Sequence, residues 1–264
     1  MAALAPMISV IVPTFRRFEP ALRTLSDLLQ QDHDRFEVIV ADQNRSWPLE
    51  LEAQLDVIRA DRRVNWMTLT IPGVVIARNH AVSAAAGSLL VFVDDDVWIP
   101  DRSFLRQHER AHEDASVACV CGREVKMYDV DQERCMPVTP PGHATMAPAG
   151  GTRLSQLLHF DRSQTLRAEV AVFSTCNGSI NRAAFDRVGG FDEHFRGASY
   201  GDDADLALRL ASAGERITYD PHPWLVHLHE PVGGLRLSDP NNPFSEYDRC
   251  LRSEERRVGK ECRL

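Results

Sequence analysis

The chain has 264 residues, 44% of them apolar, and a formal net charge of −8 at neutral pH. That length and apolar content allow one large α/β domain or two small ones and exclude wholesale disorder. The acidic balance excludes a nucleic-acid-binding surface as the main business, while leaving small anionic ligands open.

The stretch Met1 to Pro6 has no basic region, and the first apolar run, Ile8 to Val12, stops at Pro13. The run therefore reads as a strand, ISVIVPT (Ile8–Thr14), and not as a secretion signal. Ala21 to Gln30 repeats Ala21, Leu22, Leu25, Leu28 and Leu29 on one helical face. FEVIVAD (Phe36–Asp42) is a second strand, and Leu49 to Arg59 a second helix with Pro48 near its start. Val64 to Thr70 is a weaker third strand. Val74 to Ala86 is an alanine-rich helix, with Gly87 expected as its C-terminal stop. SLLVFVDDD (Ser88–Asp96) is a fourth strand ending in acid. This β-α-β-α-β-α-β order predicts a mostly parallel sheet with helices on both faces.

The second half is less regular. Ala118 to Lys126 reads as a strand, and Met127 to Gly151, rich in Pro, Gly, Thr and Ala, as a long loop. Asn181 to Val188 and Asp202 to Ala213 are helical, with Gly214 closing the second. Ile217 to Tyr219 and Leu225 to Leu228 read as short strands. No apolar run approaches the roughly 18 residues that cross a bilayer. The six cysteines, Cys119, Cys121, Cys135, Cys176, Cys250 and Cys262, have no disulfide-framework spacing and read as reduced, structural thiols of a cytoplasmic protein. The string RSEERRVGKEC, Arg252 to Cys262, matches the translation of a common sequencing-library adapter and is set aside as a non-native tail. Residues 252–264 hold five basic and three acidic residues, so the preceding chain carries −10.

In open α/β sheets, ligands bind beyond the carboxyl ends of the strands. Here those ends carry Thr14, Asp42 and the run Asp94-Asp95-Asp96. A lone aspartate after a strand is commonly a turn or helix-cap residue. Three adjacent carboxylates repel one another, a repulsion that a divalent cation relieves. Arg78 near the start of the alanine-rich helix suits an anion, or is a surface arginine. GDDADLALRL, Gly201 to Leu210, opens a helix with Asp202, Asp203 and Asp205. These acids suit the helix dipole and equally suit a general base. In LVHLHEPVGGLR, Leu225 to Arg236, His227 and His229 share one face of a strand and are candidate metal ligands, although exposed or core histidines are commoner.

Taken together, ISVIVPTFRR, VIVADQN, IARNHAVSAAAGSLLVFVDDDVWIP, CNGSINRAAFDRVGGFDEHF, GDDADLALRLASAG and VHLHEPVGGLR resemble, in order, the family 2 glycosyltransferases of the GT-A fold. The resemblance implies one domain over residues 1–251, with residues 1–126 binding a nucleotide sugar and 127–251 forming the acceptor and catalytic half. It assigns Thr14, Asp42, Arg78, Asp94 and Asp95 to the nucleotide sugar. Asp96 and His227 would hold Mn²⁺ or Mg²⁺, with His229 the fallback. Asn177, Gly178 and Asp202 would line the acceptor side. Asp203 would be the base of an inverting single displacement onto an acceptor hydroxyl. Asp202 stands where the family usually has Glu, which leaves its role open. The acceptor, whether glycan, lipid-linked or a small molecule, is not specified, and a lipid-linked one would bring the chain to the inner membrane face. A sugar-1-phosphate nucleotidyltransferase would need a glycine-rich loop after the first strand, where this chain has PTFRRFEP. The alternatives are an inactive sugar-nucleotide-binding or scaffold protein, or a truncated inactive fragment.

Overall fold

The computed structural model describes residues 8–125, 130–131, 136–137, 160–195, 201–230 and 233–237. The expected tail at 252–264 lies outside them, as does most of the loop read at Met127 to Gly151. Within that loop, two short strands, β7 (Val130–Asp131) and β8 (Met136–Pro137), pair antiparallel, so it is not wholly irregular.

The expected parallel half is present. Strand β1 (Ile8–Thr14) lies between β2 (Phe36–Asp42) and β4 (Leu89–Val93), parallel to both. Strand β3 (Val64–Thr68) extends the sheet beyond β2. Alternate residues of these strands feed two cores. Ile11, Ile39 and Phe92 pack with residues of α3 (Val74–Ala84), α5 (Arg182–Arg187) and α6 (Asp202–Ser212). Val10, Val38 and Val91 pack on the other face with α1 (Phe18–Leu29), α2 (Glu52–Arg59) and α4 (Phe104–Ala111). Both faces of the strands are thus covered, which is why these strands read as continuous apolar runs.

The second half adds mixed strands. The sheet runs β3-β2-β1-β4, then β10 (Asn177–Asn181), β6 (Val117–Val125), β11 (Arg216–His227) and β5 (Val97–Trp98), with β9 (Ala168–Glu169) also paired to β11. Strand β10 (Asn177–Asn181) is antiparallel to both β4 and β6 (Val117–Val125). The two strands expected at 217–219 and 225–228 are one, β11 (Arg216–His227). Its pairing with β6 jumps between Asp220 and Trp224, so Pro221, His222 and Pro223 are accommodated in an irregularity where missing proline N–H groups cost no ladder bond. A two-residue strand, β5 (Val97–Trp98), pairs with the end of β11, and α7 (Gly234–Leu237) follows.

Two glycine expectations resolve differently. Gly214 closes α6 in the left-handed conformation, φ +80°. Gly87 does not cap α3: Ala85 ends that helix in extended conformation. A Cβ on Gly87 would lie 2.6 Å from the Ser9 backbone nitrogen, so the residue serves close approach of the chain to β1.

Because β1 is followed by β2 on one side and neighbours β4 on the other, a crevice opens at its carboxyl end. Thr14, Asp42 and Asp94 all belong to that edge.

Candidate active site

The loop after β1 turns sharply, with Arg16 at φ +56°, and its backbone is tied to both neighbours. Arg16 N donates to Asn44 Oδ1 at 2.7 Å, and Phe15 N to Asp95 Oδ2 at 3.4 Å. The turn aims Arg17 at the acidic run, placing Nη1 3.0 Å from Asp95 Oδ1 and 2.9 Å from Asp96 Oδ1. Arg17 thus already supplies positive charge to two of the three carboxylates, a role that its place in the sequence does not mark.

The three acids have different surroundings. Asp96 is fully buried; besides Arg17 it meets His227 Nε2 at 3.4 Å and accepts the Glu230 N–H at 3.1 Å. Burial pushes its carboxyl up, but His227, Arg17 and that N–H outweigh burial and hold it below the usual range. The same contact acts on His227, which burial pushes down and Asp96 and Asp94 raise overall. Burial drives Asp95 up to about 7, opposed by Arg17 and helped by neighbouring Asp96. Asp94 is the accessible one, with its side chain 25% exposed.

Asp94 is also the acid that meets other ligating groups. One donor atom each from Asp94, Cys176 and His227 lie within 4.8 Å of one another. The strand register explains why. Asn177 pairs with Val93 across β10 and β4, so the next residues outward, Cys176 and Asp94, emerge together. His227 pairs with Val97 at the end of β11, beside the same turn. The sequence assigns direct cation contact to Asp96 with His227. In the structure Asp96 is fully buried 3.4 Å from His227 Nε2, whereas Asp94 is the more exposed acid and the one grouped with Cys176 and His227. A carboxylate, a thiol and an imidazole form a donor set that fits a divalent cation. His229, the fallback, has φ +53° and stacks on the His227 ring at 3.9 Å between centroids.

Arg78 is in the second turn of α3 and is 5% exposed. Its Nη1 donates to Asp202 Oδ2 at 2.7 Å and its Nη2 to Asp94 Oδ1 at 3.2 Å. It therefore joins the acidic turn to the start of α6. The next residue of that helix, Asp203, is pushed up to about 6, first by burial and then by the Asp202 charge, with Arg162 and Arg78 opposing. Arg162 is itself paired with Glu124 at 3.0 Å, and Glu124 contacts the Ser174 hydroxyl. Neither Arg162 nor Glu124 stands in a motif that the sequence singles out.

Thr14 is buried and pairs with Asp42 at the last register position of β1 and β2. Asp42 is occupied internally. Its Oδ1 accepts from Asn44 N at 3.0 Å and Asn44 Nδ2 at 2.8 Å; its Oδ2 accepts from Trp47 Nε1 at 2.8 Å and Trp66 Nε1 at 3.2 Å. Those four bonds fill a carboxylate's acceptor sites. Beside it lies a cavity of about 380 Å³ lined by Asn44, Arg45, Trp47, Arg59 and Thr68.

Asn177 and Gly178 are not brought to the cleft edge. Asn177 is fully buried, with its amide donating to Arg123 O and Pro223 O and accepting from or facing His108 Nε2. Gly178 is pressed against Ser174 O, which a Cβ would approach to 2.3 Å. Their neighbour Cys176 reaches the site instead. Among the described residues, Cys119, Cys121 and Cys176 are free and buried, in keeping with reduced thiols.

The chain is 29% identical over 253 residues to validoxylamine A glucosyltransferase of Streptomyces hygroscopicus subsp. jinggangensis, covering 88% of this chain and 58% of that one. It is 28% identical over 235 residues to the succinoglycan biosynthesis protein ExoM of Rhizobium meliloti, covering 88% and 69%. It thus spans a little over half the length of the glucosyltransferase. Among solved structures, the mannosyltransferase PcManGT from Pyrobaculum calidifontis, in complex with GDP-Man and Mn²⁺, superposes with a TM-score of 0.60 at 20% identity, covering 87% of this chain and 59% of that one. S. aureus TarS 1-349 gives 0.59 at 17% identity, covering 84% and 60%. The fold is that of the GT-A glycosyltransferases. No described helix is long and apolar enough to cross a membrane. The glycosyl transferase family 2 model matches residues 9–189, and the chain belongs to that family.

Proposed function

We propose that the chain transfers a hexosyl group from a nucleoside-diphosphate sugar to an acceptor hydroxyl, with inversion, in the synthesis of a glycan or glycoconjugate. The observation that carries this reading is the Arg78 bridge between Asp94 and Asp202, the residue that precedes Asp203 at the start of α6. A base is useful when its pKa lies near working pH, and Asp203 at about 6 meets that condition. In this mechanism Asp203 takes the acceptor proton as the hydroxyl oxygen attacks the anomeric carbon and the bond to the diphosphate breaks. Arg78 is a forked donor suited to phosphate, and the arm now on Asp94 would pass to the leaving diphosphate when the donor binds. Asp94 and His227 would hold a divalent cation such as Mn²⁺, with Asp96 beside His227; such a cation, when bound, would offset charge on the departing phosphates. The cavity beside Asp42, with its indoles and Arg59, is offered for the nucleoside end of the donor. A cytoplasmic setting goes with this proposal, with attachment at the inner membrane face where the acceptor is lipid-linked.

The test pairs binding with turnover. Nucleoside diphosphates and their sugars, GDP-Man included, are screened for a rise in melting temperature with and without Mn²⁺. Donor turnover is then followed for the wild type and for Asp203→Asn. One nucleotide class should stabilise both proteins, and only the wild type should turn it over. A folded protein that no nucleotide stabilises sinks the donor site. Undiminished turnover by Asp203→Asn removes the base, and binding without turnover in the wild type favours a non-catalytic binding protein.

A further inference from the structure

The third group beside Asp94 and His227 is a sulfur. We propose that Cys176 ligates the cation of this site through Sγ, and that the site therefore selects a thiophilic divalent ion such as Zn²⁺, Co²⁺ or Cd²⁺ over Mg²⁺. The inference rests on the cation-assisted reading above and deepens it.

Three features support it. The donor atoms of Asp94, Cys176 and His227 lie within 4.8 Å of one another, close enough for small side-chain movements to bring all three onto one ion. Cys176 is held in place by the β10–β4 register and by its backbone N–H, which donates to Ser174 Oγ at 3.3 Å. His227 Nε2 lies 3.4 Å from the fully buried Asp96 Oδ1, an oxygen with no hydrogen bond of normal geometry, so the imidazole N–H has a carboxylate to turn to when its other nitrogen, Nδ1, takes a metal.

Cys176 is buried beside Asp94 and His227, where an ion brings the positive charge that a thiolate needs. On binding, the S–H bond breaks, its proton leaves to water, its electron pair forms the metal–sulfur bond, and the cation's charge replaces the proton's. Magnesium is a hard ion with a preference for oxygen and gains little from such a donor, whereas thiolate strongly favours softer ions.

The whole chain is loaded with Co²⁺ and its near-ultraviolet spectrum recorded, and Cd²⁺ and Mg²⁺ affinities are measured by calorimetry. The wild type should show a sulfur-to-cobalt charge-transfer band. Cys176→Ser should lose the band and bind Cd²⁺ roughly ten-fold or more weakly, with Mg²⁺ affinity unchanged. X-ray absorption on the Zn²⁺-loaded wild type needs no variant to fold; it should show one sulfur neighbour at about 2.3 Å. Only oxygen and nitrogen neighbours, a band that persists in Cys176→Ser, or no ion bound at all would overturn the proposal. Failure of the transferase reading is separately visible: the sulfur band would persist while no nucleotide altered it or the melting temperature.

Discussion

Arg78 and Asp202 lie 124 positions apart and meet through an Nη1–Oδ2 hydrogen bond of 2.7 Å. Both side chains are nearly enclosed, at 6% and 8% exposure. A pair of this kind is worth little against an apolar pair of the same shape, but breaking it strands a charge. Removing Arg78 leaves both Asp202 and Asp94 without their shared cation.

Arg78→Ala should therefore destabilise the fold by about 3–5 kcal/mol, read from urea denaturation. Arg78→Lys should recover only part of this, because a single ammonium does not fork between two carboxylates. The double variant Arg78→Ala, Asp202→Ala should cost clearly less than the two single costs added. Simple additivity would mean that the two groups do not interact in solution.

Asp203 yields a prediction in pH. Its folded pKa of about 6 lies above the roughly 3.9 of a free aspartate. Between those values the folded state binds more protons than the unfolded state. Its contribution is thus most favourable below the unfolded pKa and is lost as pH rises through about 6. Turnover should show the opposite trend, rising with pH through about 6 as the base is freed. Asp203→Asn should abolish turnover, by roughly 10²-fold or more, while raising stability at pH 7. A turnover profile flat from pH 5 to 8, in a case where the chemical step limits the rate, would remove Asp203 from the role of base.

The buried pair His108 and His112 predicts acid lability. His108 Nδ1 and His112 Nε2 both meet Ser179 Oγ at 2.9 Å; His108 also faces Asn177 and the Phe104 ring, and His112 the Val117 carbonyl. Burial, above all, pushes them down to about 3 and about 4; Asp220 opposes this at His108, and Arg167 adds to it at His112. In the unfolded chain both titrate near 6.5. The unfolded state therefore binds the extra protons below that value. The stability they contribute is complete above about pH 6.5 and is lost progressively towards the folded values, at up to about 1.4 kcal/mol per pH unit for each histidine. Urea midpoints at pH 7.5, 6 and 5 should fall accordingly, and His108→Asn should flatten the slope. An unchanged slope in a folded variant would place the acid sensitivity elsewhere.

The same network explains where the sequence was readable. Strands β1, β2 and β4 are apolar on both faces and bounded by turn residues, so periodicity alone locates them and the crevice at their ends. Strand β10 reads NGSIN. Asn177 and Ser179 are buried because His108, His112, Arg123 and Pro223 supply partners from distant segments, and no local pattern records that. Cys176 reads in the sequence as a structural thiol for a related reason: only the antiparallel register carries it to Asp94. The acids were visible as a run, but their division of labour depends on burial. Arg17 and His227 cover Asp95 and Asp96 and leave Asp94 forward, a tertiary arrangement that three identical letters do not encode.

Asp42 supports a last prediction that separates holding a loop from holding a ligand. Its four accepted hydrogen bonds come from Asn44, Trp47 and Trp66, and Arg59 adds a guanidinium at 3.8 Å that also lies over the Trp66 ring. No acceptor site is left for a ribose hydroxyl unless an indole lets go. Asp42→Asn keeps the shape but turns one acceptor into a donor facing donors. It should cost about 1–3 kcal/mol in stability and change the tryptophan emission, because both indole N–H groups lose a charged partner. Nucleotide affinity should weaken only as the loop loosens, with similar factors for a ribonucleotide and its 2′-deoxy counterpart. If Asp42 instead binds the ribose directly, Asp42→Asn would leave stability and emission nearly unchanged and erase the preference for the ribonucleotide.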